Sequence, residues 1–313
     1  MKKIIFLLIT IVIFLPNGNS QRVELKGNYL NFPTIADYEY FANNPENRGV
    51  IDMFSETTLL KNQGTLSDEI PEFLLSILNQ DFIVKIGSYL IRLDFLGKRG
   101  LAINLKHEDA YNRLLQGNSR DENIMLFSMQ TDNALEILEA IEAGSLKEDD
   151  YKTALGINQN VEGALNRCVN PDGQEVKRFS PWGNERQLKD CKIDGISVLW
   201  GDLKLVYQKA LIYFSLQSKE KCREACKLGG DPATAGTVSV FMFLQGTVRY
   251  QACTRNEIHD ARNSNFSYTN EKSWRPYEGS RRLIRYDFTV QFKMAEDLAT
   301  PTTFPLMNIK AGY

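Results

Sequence analysis

Histidine is the usual general base of nucleophilic hydrolases, and this chain contains only two, His107 and His259. Such a hydrolase needs a Ser or Cys nucleophile beside that base and an acidic side chain that orients it. Each histidine lies in a short polar run that offers no convincing partner. The chain also has no Gly-x-Ser-x-Gly elbow, no phosphate-binding glycine loop and no His-Glu-x-x-His motif. We therefore expect both histidines to be surface residues without a catalytic role.

Cysteine could bind a metal or form disulfides, and all five cysteines stand in the second half of the chain. They are Cys168, Cys191, Cys222, Cys226 and Cys253. A structural zinc ion normally takes four Cys or His ligands, and neither histidine has a metal-like spacing, so we expect no metal and no other cofactor. In an exported protein the clustering predicts disulfides instead. Our predicted pairs join Cys168 to Cys191, and Cys253 to Cys222 or Cys226; the odd number leaves one cysteine over.

Two carboxylates suffice for a glycoside hydrolase, and a fold can assemble them from any distance in the sequence. Several acidic residues lie near aromatic side chains, as in a sugar-cleaving site. They are Asp194, Asp202, Asp260, Glu271 and Glu278. With 39 acidic residues in the chain, such proximity is expected by chance. A carbohydrate-active hydrolase with two fold-assembled carboxylates therefore remains the alternative to a protein that is not an enzyme.

The segment 268–278 combines aromatic rings with a guanidinium group, in what the sequence predicts to be a loop before the last long strand. Aromatic rings can stack on sugars or anchor a protein interface, and arginine adds directional donors. The candidate ligand-binding residues are Tyr268, Trp274, Arg275 and Tyr277. The same pattern also fits a lid, in which Trp274 and Tyr277 fold back over the end of the sheets.

The elements that position these residues fall into two predicted parts. In residues 21–150, Pro71 opens a helix that ends near Asn79, and strands with apolar alternation follow up to Leu105. A further helix is predicted over 132–144. Its glutamates at positions 136, 139 and 142 lie opposite the apolar face, which is typical of a solvated surface.

Residues 151–190 are polar and are predicted to be a linker or loop. Long strands with one apolar face follow in residues 191–313. They are predicted over 196–200, 203–216, 238–253 and 283–294. The predicted fold class is thus an α+β N-terminal part followed by an all-β, antiparallel, sandwich-like C-terminal domain.

The first residues predict where the protein works. A basic start with Lys2 and Lys3 precedes an apolar run over 4–15, and small residues lead to a cleavage site after Ser20. This order is typical of a secretory signal peptide over residues 1–20. The run is shorter than the roughly 20 residues that cross a bilayer, so we expect no transmembrane helix in the mature chain. The protein should be exported to the periplasm, the cell surface or the medium.

The run 73–79, followed by 84–92, resembles a segment of secreted proteins of Bacteroidetes to which no activity is assigned. In those proteins a helix ending in Leu-Asn precedes a hairpin that turns at an Ile-Gly pair. Here Asn79 would be the cap and Gly87 the turn. The aromatic strands of the second half, with Cys253 at a strand end, also resemble these proteins. The resemblance implies a shared structural element and no catalytic residue.

Charge excludes one class of partner. Without Lys2 and Lys3 the mature chain has 35 basic and 39 acidic residues, a formal net charge of −4, which is unlike a nucleic-acid-binding protein. Together the patterns predict a secreted, non-enzymatic binding or envelope-associated protein. Its partner is expected to be a polysaccharide or an extracellular protein.

Overall fold

The computed structural model describes residues 23–52, 54, 70–117, 120–151, 184–189, 198–225, 236–253, 257–295 and 301–312. The predicted signal peptide and three of the cysteines, Cys168, Cys191 and Cys226, lie outside these ranges. So do Asp194 and most of the predicted linker. The last residues of that linker range, Asn184–Lys189, form a strand.

The first sheet has six strands and is accompanied by five α-helices in the described ranges. Its strands are β1 (Glu24–Lys26), β2 (Tyr29–Phe32), β3 (Ile83–Ile86), β4 (Tyr89–Asp94), β5 (Arg99–Asn104) and β6 (Ile124–Ser128). The helices are α1 (Ile35–Asn43), α2 (Gly49–Asp52), α3 (Glu72–Ile77), α4 (Ala110–Gln116) and α5 (Ala134–Glu142). The strands are ordered as in the chain, with β2 and β3 parallel and every other neighbouring pair antiparallel.

Ten further strands form two antiparallel sheets. They are β7 (Asn184–Lys189), β8 (Val198–Ala210), β9 (Tyr213–Ala225), β10 (Gly236–Thr237), β11 (Val240–Ala252), β12 (His259–Thr269), β13 (Glu271–Gly279), β14 (Leu283–Ala295), β15 (Thr302–Thr303) and β16 (Met307–Ala311). One sheet has the order β7-β8-β9, with β10 and β13 both on the far side of β9. The other has the order β12-β11-β14, with β15 and β16 both on β14. The predicted predominance of antiparallel strands is confirmed.

Apolar side chains of both of these sheets meet in one core. β9 contributes Phe214 and Leu216, while β14 contributes Tyr286, Phe288 and Phe292, and all are at most 1% exposed. Alternation produces this arrangement, because every second residue of a strand points to the same face.

The core of the first sheet also contains residues of the β8–β9 turn, from Ala210 to Tyr213. The Tyr38 hydroxyl on α1 donates a 2.7 Å hydrogen bond to the carbonyl of Ile212 in this turn. Gly100 makes room for the turn on β5, since a Cβ added there would lie 2.1 Å from a methyl carbon of Leu211. The two predicted parts therefore share a packed contact.

Two local expectations were wrong. The strand predicted over 203–216 is broken by the turn at Leu211, whose φ of 57° lies in the left-handed region that bulky residues rarely adopt. The segment 268–278 is not a loop, because it consists of the end of β12, a short turn at Asn270 and most of β13. Buried side chains alternate with more exposed ones on either side of the bulge at 274–277, as expected of a strand that pairs with β9.

Candidate functional site

Trp274 and Tyr277, two of the predicted ligand-binding residues, pack inward. The Trp274 ring lies edge-on to Phe288, with 5.4 Å between ring centroids, and occupies the space left by a missing side chain at Gly246. Tyr277 is 9% exposed, and its hydroxyl donates to the carbonyl of Arg281. Both side chains therefore pack against the core of the two sheets as members of β13.

Arg275 is engaged within the protein. Its guanidinium lies 3.4 Å from the Glu278 carboxylate, which also accepts from Arg48 at 2.9 Å and from the Tyr213 hydroxyl. Burial alone would raise the pKa of Glu278, but the Tyr213 hydrogen bond and the two arginines lower it overall. Arg275 is thus part of a structural ion-pair network.

Of the four predicted ligand-binding residues, Tyr268 is the exposed one, and other aromatic rings lie beside it. Its side chain is 63% exposed on the outer face of β12, beside another exposed ring, Phe266, at 44%. Phe241 and Phe243 of β11 lie half-buried on the same face. We call Phe241, Phe243, Phe266 and Tyr268 the aromatic platform.

The register of β11 and β12 builds this platform. Phe241 lies opposite Tyr268, and Phe243 lies opposite Phe266. The ring centroids of Phe241 and Phe266 are 5.6 Å apart with 12° between their planes. Phe243 and Phe266 are 4.3 Å apart, and Phe241 and Tyr268 are 5.0 Å apart. The four rings therefore form a continuous apolar surface at one end of the sheet.

Polar side chains continue the same face along the strands. Ser264, Gln245 and Gln291 form the next row across β12, β11 and β14. Lys293 lies on β14 opposite Phe243. A surface that places rings beside amide, hydroxyl and ammonium groups can stack on a ligand and also hydrogen-bond to it.

Sequence reasoning missed three platform residues, Phe241, Phe243 and Phe266. The usable signal was the run Val240–Leu244, five consecutive apolar residues in a strand that otherwise has one polar face. Such a run makes both faces of the strand apolar. One of those faces is the core, so the other must expose its rings or be covered.

Three of the acidic residues considered for a hydrolase lie within the described ranges, and each of them is next to a cation of the protein. Asp260 lies 3.7 Å from Arg249, and Glu271 lies 2.9 Å from Lys219. Glu278 is bound in the network described above, and its lowered pKa is opposite to that of a general acid. Asp194 and the side chain of Asp202 lie outside the described residues. The hydrolase alternative thus finds no support in the described acids.

Both histidines are half-buried rather than on the open surface. His107 Nε2 lies 3.2 Å from a Glu148 carboxylate oxygen. His259 stacks on Tyr250, with 5.2 Å between ring centroids. Among the described residues, no hydroxyl or thiol lies within hydrogen-bond distance of either imidazole, so neither histidine forms a nucleophile–base pair.

Cys222 points from β9 into the core and is a buried thiol. Cys222 is therefore not the disulfide partner of Cys253, and this half of the predicted alternative was wrong. Of the predicted pairings, Cys253 with Cys226 and Cys168 with Cys191 involve cysteines outside the described residues.

The inward position of Trp274 predicts a structural role. Replacing Trp274 with Ala is expected to lower the free energy of unfolding by about 2 kcal/mol, below the full cost of a buried Trp because the ring is only half-buried. Thermal unfolding followed by circular dichroism measures this loss. An unchanged melting temperature would contradict the inward packing of Trp274. The control is Leu96→Ala, which removes a side chain that is 93% exposed.

In the described part of the chain, no helix has the length and apolar character needed to span a bilayer. No protein-family model, curated protein or solved structure matches this chain.

Proposed function

We propose that this protein is a secreted, non-enzymatic binding protein that holds a polysaccharide against its aromatic platform. The observation that carries the proposal is the group of four adjacent rings on the solvent face of β11 and β12, two of which, Phe266 and Tyr268, are exposed. Exposed rings are costly unless a ligand covers them, and contiguous apolar patches commonly mark binding sites. Export by the signal peptide would bring this surface to extracellular or envelope glycans.

The arrangement of the rings favours a sugar chain over a deep-pocket ligand. The rings lie on a sheet face and not in a cleft, so an extended ligand can lie across them. The C–H faces of a pyranose ring are apolar, whereas its hydroxyl groups require donors and acceptors. Gln245, Gln291 and Ser264 in the next row supply those groups at the edge of the platform. In this proposal the two antiparallel sheets act as a sandwich-like scaffold that keeps the face rigid.

Removing the exposed rings of the aromatic platform should weaken binding while the protein stays folded. We expect the double variant Phe266→Ala/Tyr268→Ala to bind about a hundredfold more weakly, since each stacked ring contributes roughly 1.4 kcal/mol, or about tenfold. Both side chains are exposed and lose only their ring contacts with Phe241 and Phe243, so the melting temperature should fall by no more than about 5 °C and the variant should stay folded under the conditions of the binding assay. Retention of residues 21–313 on a panel of insoluble polysaccharides, with isothermal titration on any polysaccharide that retains them, measures the effect.

The matched control is Leu25→Ala/Leu96→Ala, which removes two exposed apolar side chains, one from β1 and one from the turn between β4 and β5. It should leave binding unchanged. The same assay scores released sugar. Release of sugar would support the hydrolase instead. Absence of retention on every polysaccharide would contradict the proposal and favour a protein partner.

A further inference from the structure

Strand β12 forms an open edge of its sheet. It pairs with β11 on one side, and no strand in the described ranges pairs with the other. The pairing with β11 runs without a bulge from His259 to Thr269. β12 contains neither proline nor lysine, which often protect an exposed edge. A regular edge of eleven residues is suited to accept another strand.

The edge strand β13 of the opposite sheet is built differently. Its register with β9 shifts between Trp274 and Tyr277, and Pro276 lies within that bulge. A bulge and a proline both block continued pairing, because the first bends the strand and the second removes an N–H donor. These protective features are present on β13 and missing from β12.

We propose that β12 pairs with β12 of a second copy of this chain, antiparallel about a twofold axis at Ser264. This register pairs the full length of the strand. It places Arg262 opposite the partner's Phe266, and by symmetry the same contact occurs twice. A guanidinium beside an aromatic ring is a favourable cation–π contact. Asp260 lies opposite the partner's Tyr268, whose hydroxyl can donate to a carboxylate.

The other face of the strand is complementary in the same register. Asn263 lies opposite the partner's Asn265, and side-chain amides can donate to and accept from one another. Moving the axis to Asn263 would set Asp260 against the partner's Phe266 and leave one end of the strand unpaired. Moving it to Asn265 would unpair the other end and set Ser264 against Phe266. Only the axis at Ser264 combines full length with charge–ring complementarity.

Pairing at this edge would join the β12-containing sheets of the two copies into one continuous sheet. Two aromatic platforms would then lie on one outer face, related by the twofold axis. A long polymer could contact both, which raises its apparent affinity without any new type of contact. The inference goes beyond the proposed function and does not depend on the ligand, because it rests on the edge of β12 alone.

The experiment is cysteine cross-linking of residues 21–313. In Ser264→Cys, the two introduced residues would face each other with Cα atoms about 5 Å apart, within the range of a disulfide. In the control Arg262→Cys, they would be offset by four residues along the strand, or about 13 Å. Mild oxidation should therefore convert Ser264→Cys, but neither Arg262→Cys nor the wild type, to a covalent dimer on a non-reducing gel.

Analytical ultracentrifugation of the unmodified mature chain completes the test. Its sedimenting mass should rise towards twice the monomer mass as the concentration increases. A monomer at every concentration would overturn the proposal. Equal cross-linking of Ser264→Cys and Arg262→Cys would also overturn it, because that result indicates random collision rather than the register at Ser264. Neither outcome bears on whether a single aromatic platform binds a polysaccharide.

Discussion

Replacing Arg281 with Met is expected to lower the free energy of unfolding by about 3–5 kcal/mol at neutral pH. The Arg281 guanidinium lies 2.5 Å from Glu39, 3.1 Å from Glu136 and 3.4 Å from Glu139. The side chains of Arg281 and Glu136 are only 12% and 8% exposed. Without this cation, the carboxylates of Glu39 and Glu136 would remain close together in a largely buried site, and Arg282 would be left as the cation acting on Glu136.

The loss should depend on pH in a defined direction. Burial raises the pKa of Glu39 and of Glu136 even though Arg281 lowers both. Removing Arg281 raises both pKa values further in the folded state, but not in the unfolded state. Below the ordinary carboxyl pKa both groups are protonated in the folded and the unfolded state, so the destabilisation is absent. It grows as the pH rises through the folded-state pKa values of the two groups, because the variant keeps their protons to a higher pH than the wild type. The variant should therefore regain much of its stability near pH 4, as measured by urea unfolding.

The control is Arg249→Met. Arg249 lies 3.7 Å from Asp260, but the two side chains are 55% and 70% exposed, so water already screens their interaction. Its removal should cost less than about 0.5 kcal/mol and show no recovery in acid. If Arg281→Met behaved like Arg249→Met, the buried ion-pair cluster would have no role in stability.

The ion-pair cluster around Arg281 could be predicted from the sequence only in part. Periodicity predicted a helix over 132–144, and α5 (Ala134–Glu142) forms within that range. It also placed Glu136 on a solvated face, which was wrong because Arg281 covers it. The partner is distant in sequence, and helical periodicity contains no information about what docks on the polar side.

Among the strands, too, features that depend on local alternation were predicted, whereas a feature that depends on distant packing was missed. The alternation over 283–294 predicted β14 because its two faces have different environments. The turn at Leu211 was missed because it contains no Gly, Pro, Asn or Asp, and packing into the first sheet's core holds it in place.

The candidate site was predicted in part. Of the residues singled out in the sequence, only Tyr268 belongs to the aromatic platform, because composition could not distinguish Tyr268, which is exposed, from Trp274 and Tyr277, which pack inward. That distinction depends on which strand faces which sheet. The other platform residues come from β11 and β12, and only the register between these strands brings their rings together.

Replacing Glu220 with Gln is expected to stabilise the protein, and increasingly so as pH rises from 5 to 8. Glu220 is fully buried on the face of β9 that also carries Leu216 and Cys222 into the core. Neither carboxylate oxygen has a hydrogen-bond partner in the described part of the chain. Burial raises the pKa of Glu220 to about 9, and the charge of its cross-strand neighbour Lys272 only partly opposes this.

The sign follows from proton binding in the two states. The unfolded chain releases the Glu220 proton near its ordinary pKa of 4.5, whereas the folded protein keeps it until about pH 9. The folded state therefore binds more protons between these values, and stability falls by up to about 1.4 kcal/mol per pH unit. At pH 7 the accumulated cost is about 3 kcal/mol. Gln carries no titratable proton, so this cost is absent from the variant.

Chemical denaturation at pH 5, 6, 7 and 8 tests the prediction as a difference between two curves. The difference in the free energy of unfolding between Glu220→Gln and the wild type should increase at each step in pH. A general packing effect would instead change the free energy of unfolding by the same amount at every pH. Glu271→Gln makes the same chemical change at a side chain that is 39% exposed, and it should leave the slope of the curve unchanged. Parallel curves for Glu220→Gln and the wild type would show that Glu220 is already ionised in the folded protein, and Lys272 would then have to neutralise it inside the core.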